Sequence, residues 1–285
     1  MKNQWSIRHI SILICCSIIF VNIFHMCLPK KVISIHNTHT LCVDGFQIIP
    51  HFLSKHEINE YLYNIRHKRY IENKHLIINR HENFIKKMVG DDYVFQDYIF
   101  IIEKSNIHTC HRDNNGRFYN NDQNYDSFTI LIFLEDMERC LDVIPKSHTS
   151  FYKNAINLSD YTRSILCNPG DAVIFNANLI HAGSFNHFNN HIRIQMKITH
   201  KDDLHSLSFY NDYNKSLDLD SNSNTHFRML QKNISCTYPI LGDFTQNLHT
   251  RHLRHNKEQV SFLQKLFSFI SHGNSHHFSL HNLSS

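Results

Sequence analysis

At 285 residues and 41% apolar, the chain is long enough to bury one substantial core, so a single catalytic domain with appendages is expected. The 29 Lys and Arg against 25 Asp and Glu leave a net charge of +4, and no stripe pairs the basic residues with aromatics, which argues against nucleic-acid binding. Histidine is so frequent, at 25 residues, that no single histidine motif carries weight alone.

After a short tail (residues 1–9), Ile10 to Leu28 is apolar and free of Asp, Glu, Lys and Arg, long enough at about 1.5 Å per residue to cross most of a bilayer. The following Pro29-Lys30-Lys31 stretch offers no small-x-small cleavage site, so an uncleaved transmembrane signal anchor is expected at residues 10–28. A buried core helix is the alternative, because Asn22 and His25 are costly in lipid. Lys2 and Arg8 precede the span and Lys30 and Lys31 follow it, close to a tie for orientation. The expected localisation is a single-pass membrane protein, with a lumenal catalytic domain favoured.

Helices are expected from Ser54 to Arg66 and around Glu82 to Met88. Period-2 or wholly apolar runs at Tyr93–Glu103, Phe128–Glu135, Leu141–Ile144, Asp171–Asn176 and Ile192–Thr199 read as strands separated by turn-rich loops, as an antiparallel jelly roll requires. The catalytic domain is placed at residues 41–203. Beyond it come a variable, partly disordered extension (204–255), an amphipathic helix (256–271) with Val260, Leu263, Leu266, Phe267 and Ile270 on one stripe, and a His-rich disordered tail (272–285). Cys15, Cys16 and Cys27 lie in the apolar span. Cys42, Cys110, Cys140, Cys167 and Cys236 remain, an odd number without C-x-x-C spacing, so neither a zinc ribbon nor a full disulfide framework is indicated.

The chemistry-bearing feature is His111-Arg112-Asp113, followed by His181 and then Arg193. In an extended segment, residues two apart leave the same face, so His111 and Asp113 can reach one ion. Two imidazoles and a carboxylate can hold one face of Fe(II) and leave the other open. Asp113-Asn114-Asn115-Gly116 is also good turn chemistry, the bland reading of the same residues. Arg193 lies in Ile192-Arg193-Ile194-Gln195-Met196-Lys197-Ile198, whose alternation places Arg193, Gln195 and Lys197 on one face.

The surrounding phrases are specific. Asp44-Gly45-Phe46 leading to Phe52-Leu53, the H-x-D, the apolar strand ending in Glu135-Asp136, Cys140-Leu141-Asp142-Val143-Ile144-Pro145-Lys146-Ser147-His148, and Gly170-Asp171-Ala172-Val173-Ile174-Phe175 running to His181-Ala182-Gly183-Ser184 together resemble the phytanoyl-CoA dioxygenase family of Fe(II)/2-oxoglutarate-dependent oxygenases. The resemblance covers about residues 41–200. The sequence departs from it at Arg139 and Lys146, where glycine is usual, and in a gap from His181 to Arg193 about a residue longer.

The resemblance implies a mainly β fold, a double-stranded β-helix (jelly roll, cupin-like) with flanking α-helices. It implies Fe(II) held by His111, Asp113 and His181, and 2-oxoglutarate whose far carboxylate meets Arg193. Thr129 on the central strand and Ser184 just past His181 are candidates for added hydroxyl contacts to the cosubstrate, although Ser and Thr are common in strands and turns for ordinary reasons. A guanidinium can make two parallel hydrogen bonds to a carboxylate, which a lysine cannot. O₂ is consumed, succinate and CO₂ are released, an unactivated C–H bond is hydroxylated, and ascorbate is a candidate reductant. An Asp at the carboxylate position argues for hydroxylation, since related halogenases carry a small residue there. Substrates in reach of this reading are a small molecule, a lipid, or a protein or glycan. A catalytically silent jelly-roll scaffold and a zinc hydrolase are the competing readings; no H-E-x-x-H general base supports the second.

Overall fold

The computed structural model describes residues 7–27, 32–33, 39–104, 109–152, 154–157, 162–184, 186, 190–217, 225–244, 262, 266 and 281–282. In chain order the elements are α1 (Ile7–Cys27), β1 (Val32–Ile33), α2 (Leu41–Asp44), β2 (Phe46–Ile49), α3 (Lys55–Arg66), α4 (Tyr70–Val89), β3 (Tyr93–Phe95), β4 (Tyr98–Lys104), β5 (Phe128–Phe133), β6 (Leu141–Val143), β7 (Arg163–Ile165), β8 (Ala172–Asn176), β9 (His181–Gly183), β10 (Asn190–His200), β11 (Tyr213–Leu217), α5 (Thr225–Thr237) and β12 (His281–Asn282). The amphipathic helix expected at 256–271 and the tail at 272–285 lie almost wholly outside the described residues. Within 204–255, β11 and α5 are formed elements.

Local sequence explains the helix starts. Ser54 and Glu57 form a reciprocal capping box that fixes the first turn of α3. The second expected helix is much longer than its apolar run implied: α4 covers 20 residues. Ile77 and Ile85, eight positions apart and therefore on one helical face, are both fully buried against the sheet, while Asn79, Arg80 and Asn83 between them are exposed. Gly45 adopts φ +84 at the end of α2, and a Cβ there would collide with the His148 ring.

Two sheets form the core. The smaller runs β1-β7-β6-β9; the larger runs β12-β11-β4-β10-β5-β8-β2, with β3 also paired to β10. Strand alternation sorts the larger sheet's side chains. Ile130, Ile132, Ile194, Met196 and Ile198 face α3 and α4, while Leu131, Phe133, Val173 and Phe175 pack on Leu141, Val143 and Ile165 of the smaller sheet. The inner face therefore also receives Thr129, Arg193 and Lys197.

Two expectations need correction. The fold is not the expected all-antiparallel double-stranded β-helix, because the larger sheet is mixed: β11 runs parallel to β4. The smaller sheet likewise contains a parallel pair, β1 with β7. The transmembrane anchor is also not supported, since among the described residues no helix is long and apolar enough to cross a membrane. The run expected to span forms α1, which carries Asn22 and His25 and lies against α5. The single-pass membrane localisation falls with it.

The C-terminal segment is stitched to the core. Cys110 and Cys236 form a disulfide, and the Cys110 amide donates to Ser235 Oγ at 2.7 Å. Lys232 pairs with buried Asp142 on β6, and Asp243 pairs with the fully buried Arg112. Charges this deep are tolerated because each has an opposite charge and further hydrogen-bond partners.

Candidate metal centre

His111 and His181 face each other across an isolated antiparallel bridge that extends the smaller sheet past β9, with reciprocal amide-to-carbonyl bonds of 2.9 Å. Asp113 is anchored from the other side, its amide donating to Ala177 O at 2.9 Å just beyond β8. Arg112, between the two ligands, points the opposite way, as alternation demands, and donates to Asn178 O and Asp243. His111 and His181, seventy residues apart in sequence, are thus brought together by backbone pairing, which the Arg112 side chain reinforces.

The ligand atoms of His111, Asp113 and His181 all lie within 4.8 Å of one another. Asp113 Oδ1 stands 4.0 Å from His111 Nε2 and 3.7 Å from His181 Nε2. Each imidazole donates Nδ1–H to a backbone carbonyl, Thr109 O at 2.8 Å and Leu179 O at 3.0 Å. A carbonyl can only accept, so both rings hold the proton on Nδ1 and aim the Nε2 lone pair into the group. His181 and Asp113 are buried, while His111 is partly open to solvent.

Electrostatics keep the group ready for a cation. Burial, then the neighbouring His111, lowers the His181 imidazole to about 4, so it is neutral at physiological pH. Burial alone would raise the Asp113 carboxyl, but Lys197, His181 and His111 outweigh it and hold the group well below the usual carboxylate range. Two imidazoles and one carboxylate converging in this way fit Fe(II).

Arg193 lies on the inner face of β10, 4% exposed, and burial lowers its guanidinium to about 10. Among the described residues its one polar partner is the Met137 thioether at 4.0 Å. A buried guanidinium without a carboxylate is a costly arrangement that a bound carboxylate would relieve, so the residues present also fit 2-oxoglutarate. Between His181 and Arg193, the β10–β4 pairing shows a register shift between Asn190 and Arg193. At the second departure, Lys146 occupies the left-handed region at φ +67, which explains why glycine is usual there.

Thr129 and Ser184 are placed differently from one another. Thr129 donates its hydroxyl to Asp113 Oδ2, beside the group. Ser184 donates to Asp142 Oδ1 at 2.8 Å, in the Lys232 network of the smaller sheet, and is not brought to the ligands. Sequence reasoning missed Lys197, Asn115 and Asp243 as supports. The alternation of β10 had put Lys197 on the same face as Arg193, and that was the available signal.

A group of two imidazoles and one carboxylate is a donor set that suits Fe(II). Residues 88–194 match the model of the phytanoyl-CoA dioxygenase (PhyH) family, the family that the sequence resembles. The matched segment includes His111, Asp113, Thr129, His181, Ser184 and Arg193. No curated protein matches the chain. Among solved structures, the chain is similar to the non-heme α-ketoglutarate-dependent epimerase SnoN from nogalamycin biosynthesis, at 15% identity and TM-score 0.46 over 56% of this chain and 78% of that one. It is also similar to the α-ketoglutarate-dependent carbocyclase SnoK from the same biosynthesis, at 15% identity and TM-score 0.46 over 60% and 87%. A third is HygX from Streptomyces hygroscopicus with nickel and 2-oxoglutarate bound, at 12% identity and TM-score 0.42 over 56% and 83%. Similarities of this size bear on neither substrate nor reaction outcome.

Proposed function

We propose that this oxygenase-type enzyme hydroxylates an unactivated C–H bond of its substrate, with His111, Asp113 and His181 as the iron ligands and Arg193 as the partner of the 2-oxoglutarate far carboxylate. The observation that carries the reading is a His-Asp-His group whose ligand atoms converge, together with a buried guanidinium on the inner face of the larger sheet that has no carboxylate partner among the described residues. When bound, iron and 2-oxoglutarate supply the oxidising chemistry, coupling decarboxylation to succinate with oxygen transfer.

The chain's own residues orient and shield. The carbonyls of Thr109 and Leu179 fix both imidazole tautomers, so no proton must move before a ligand bond forms. Phe175, whose ring centroid lies 4.5 Å from that of His181, closes the buried side of the group against water. Partly open His111 marks the side from which substrate arrives. An aspartate rather than a small residue at position 113 supports hydroxylation over halide transfer.

Succinate release from 2-oxoglutarate by the iron-loaded protein tests this directly. Turnover in the wild type and its loss in a folded His111→Ala variant are expected. Equal succinate release by both proteins would overturn the ligand assignment.

A further inference from the structure

Lys197 is the least expected residue beside the metal group. It is 1% exposed and stands directly opposite Thr129 in the β10–β5 pairing, with Phe175 opposite Thr129 on the other side. Its ammonium donates to Asp113 Oδ2 at 2.7 Å, Asn115 Oδ1 at 2.9 Å and Thr129 Oγ1 at 3.1 Å. Those bonds use all the donors an ammonium has. Tyr98 and Tyr210 wall it in, with ring centroids 5.6 and 5.8 Å from Nζ, and the Tyr210 hydroxyl is itself tied to Asn114. This lysine cannot reach solvent and has no room to release its carboxylate.

The two oxygens of Asp113 are consequently unlike. Oδ2 takes hydrogen bonds from both Lys197 and Thr129, while Oδ1 faces the Nε2 atoms of His111 and His181. We infer that Lys197 is a positioning residue that restricts Asp113 to ligation through a single oxygen. The inference rests on the iron reading above and adds the reason for the lysine. Three single-atom ligands occupy half of an octahedral set. A carboxylate that gave both oxygens to a bound ion would take a position that single-oxygen ligation would leave for the cosubstrate. An alanine or leucine at 197 would leave the buried face of the carboxylate uncommitted, and a hydroxyl at 129 alone supplies only one neutral bond.

The test is infrared spectroscopy of protein carrying carbon-13-labelled aspartate, loaded with Zn(II), which is redox-silent and takes the same donor types. The Asp113 bands are those induced by Zn(II) in the wild type and missing in Asp113→Asn. Single-oxygen ligation gives a wide separation between the asymmetric and symmetric carboxylate stretches, and two-oxygen ligation a narrow one. A wide separation is expected in the wild type, collapsing to a narrow one in Lys197→Met. If Lys197→Met does not fold, Lys197→Gln, neutral but still able to donate, replaces it and is expected to narrow the separation part of the way. A narrow separation in the wild type, or an unchanged wide one in the folded variant, overturns the inference while leaving the metal site standing. Absence of any Asp113-dependent band in the wild type overturns both.

Discussion

β10 carries two buried cations on one face, and they are in opposite states. Lys197 has a carboxylate, an amide oxygen and a hydroxyl around it; four residues away, Arg193 has a thioether. At a strand rise of about 3.3 Å the two lie roughly 13 Å apart along the chain. A satisfied buried charge is structure, because removing its partner leaves an uncompensated ion that costs several kcal/mol. One without a carboxylate partner among the described residues, as Arg193 is, is the kind of cation that a ligand's carboxylate would stabilise, which is the role proposed for it. On the proposed reading, the same strand supports the metal end of the site through Lys197 and would receive the cosubstrate through Arg193.

Breaking the metal end should have the largest effect. His111→Ala removes a partly exposed ligand without orphaning a buried charge, so metal affinity should fall by more than about 100-fold, beyond the range seen for supporting residues, while the thermal midpoint stays close to wild type. Asp113→Ala should differ in kind, because it strands Lys197; a drop of about 3–5 kcal/mol in urea unfolding is expected. Equal stabilities of these two variants would contradict the contrast between supporting and receiving ends.

Arg193→Met sharpens the other end. Its guanidinium makes no protein ion pair among the described residues, so the change should leave metal-free stability level or raised. Affinity for 2-oxoglutarate should fall about 10- to 100-fold, the equivalent of roughly 1.5–3 kcal/mol for hydrogen bonds to a charged group, with metal affinity unchanged in the same calorimetric titration. Cys236→Ser should cost about 2–4 kcal/mol of stability by freeing the long loop closed onto Cys110 beside His111.

The smallest effect is one of pH. The folded His181 value near 4 lies below the ordinary 6.5, so between these values the unfolded chain binds a proton that the folded one refuses. Stability of the metal-free protein should therefore decline as pH falls from about 6.5 towards 4. Burial lowers His81 and His148 in the same direction, and His181→Gln should reduce the slope without abolishing it.

Much of the site could be read from the sequence because its signals are short-range. H-x-D parity, the Gly170-to-Ser184 phrase and the β10 alternation each depend on a few neighbouring residues. What could not be read depends on distant partners. The Asp243–Arg112 and Lys232–Asp142 pairs join residues ninety or more positions apart, with one partner of each in a segment without a periodic signal, which the sequence marked only as variable. Strand direction was equally hidden: β11 is short and polar, and nothing in Tyr213–Leu217 announces a parallel partner in β4. The apolar residues of α1 satisfied a length criterion for a membrane span, and the structure corrected that reading.

The most direct test is an anaerobic titration of the protein with Fe(II) and then 2-oxoglutarate, followed by visible absorption. A metal-to-ligand charge-transfer band that saturates in the wild type, is absent in His111→Ala and needs much higher 2-oxoglutarate in Arg193→Met is the predicted result. A folded wild-type protein that develops no band, or one that Arg193→Met leaves at the same half-saturation, would contradict the account.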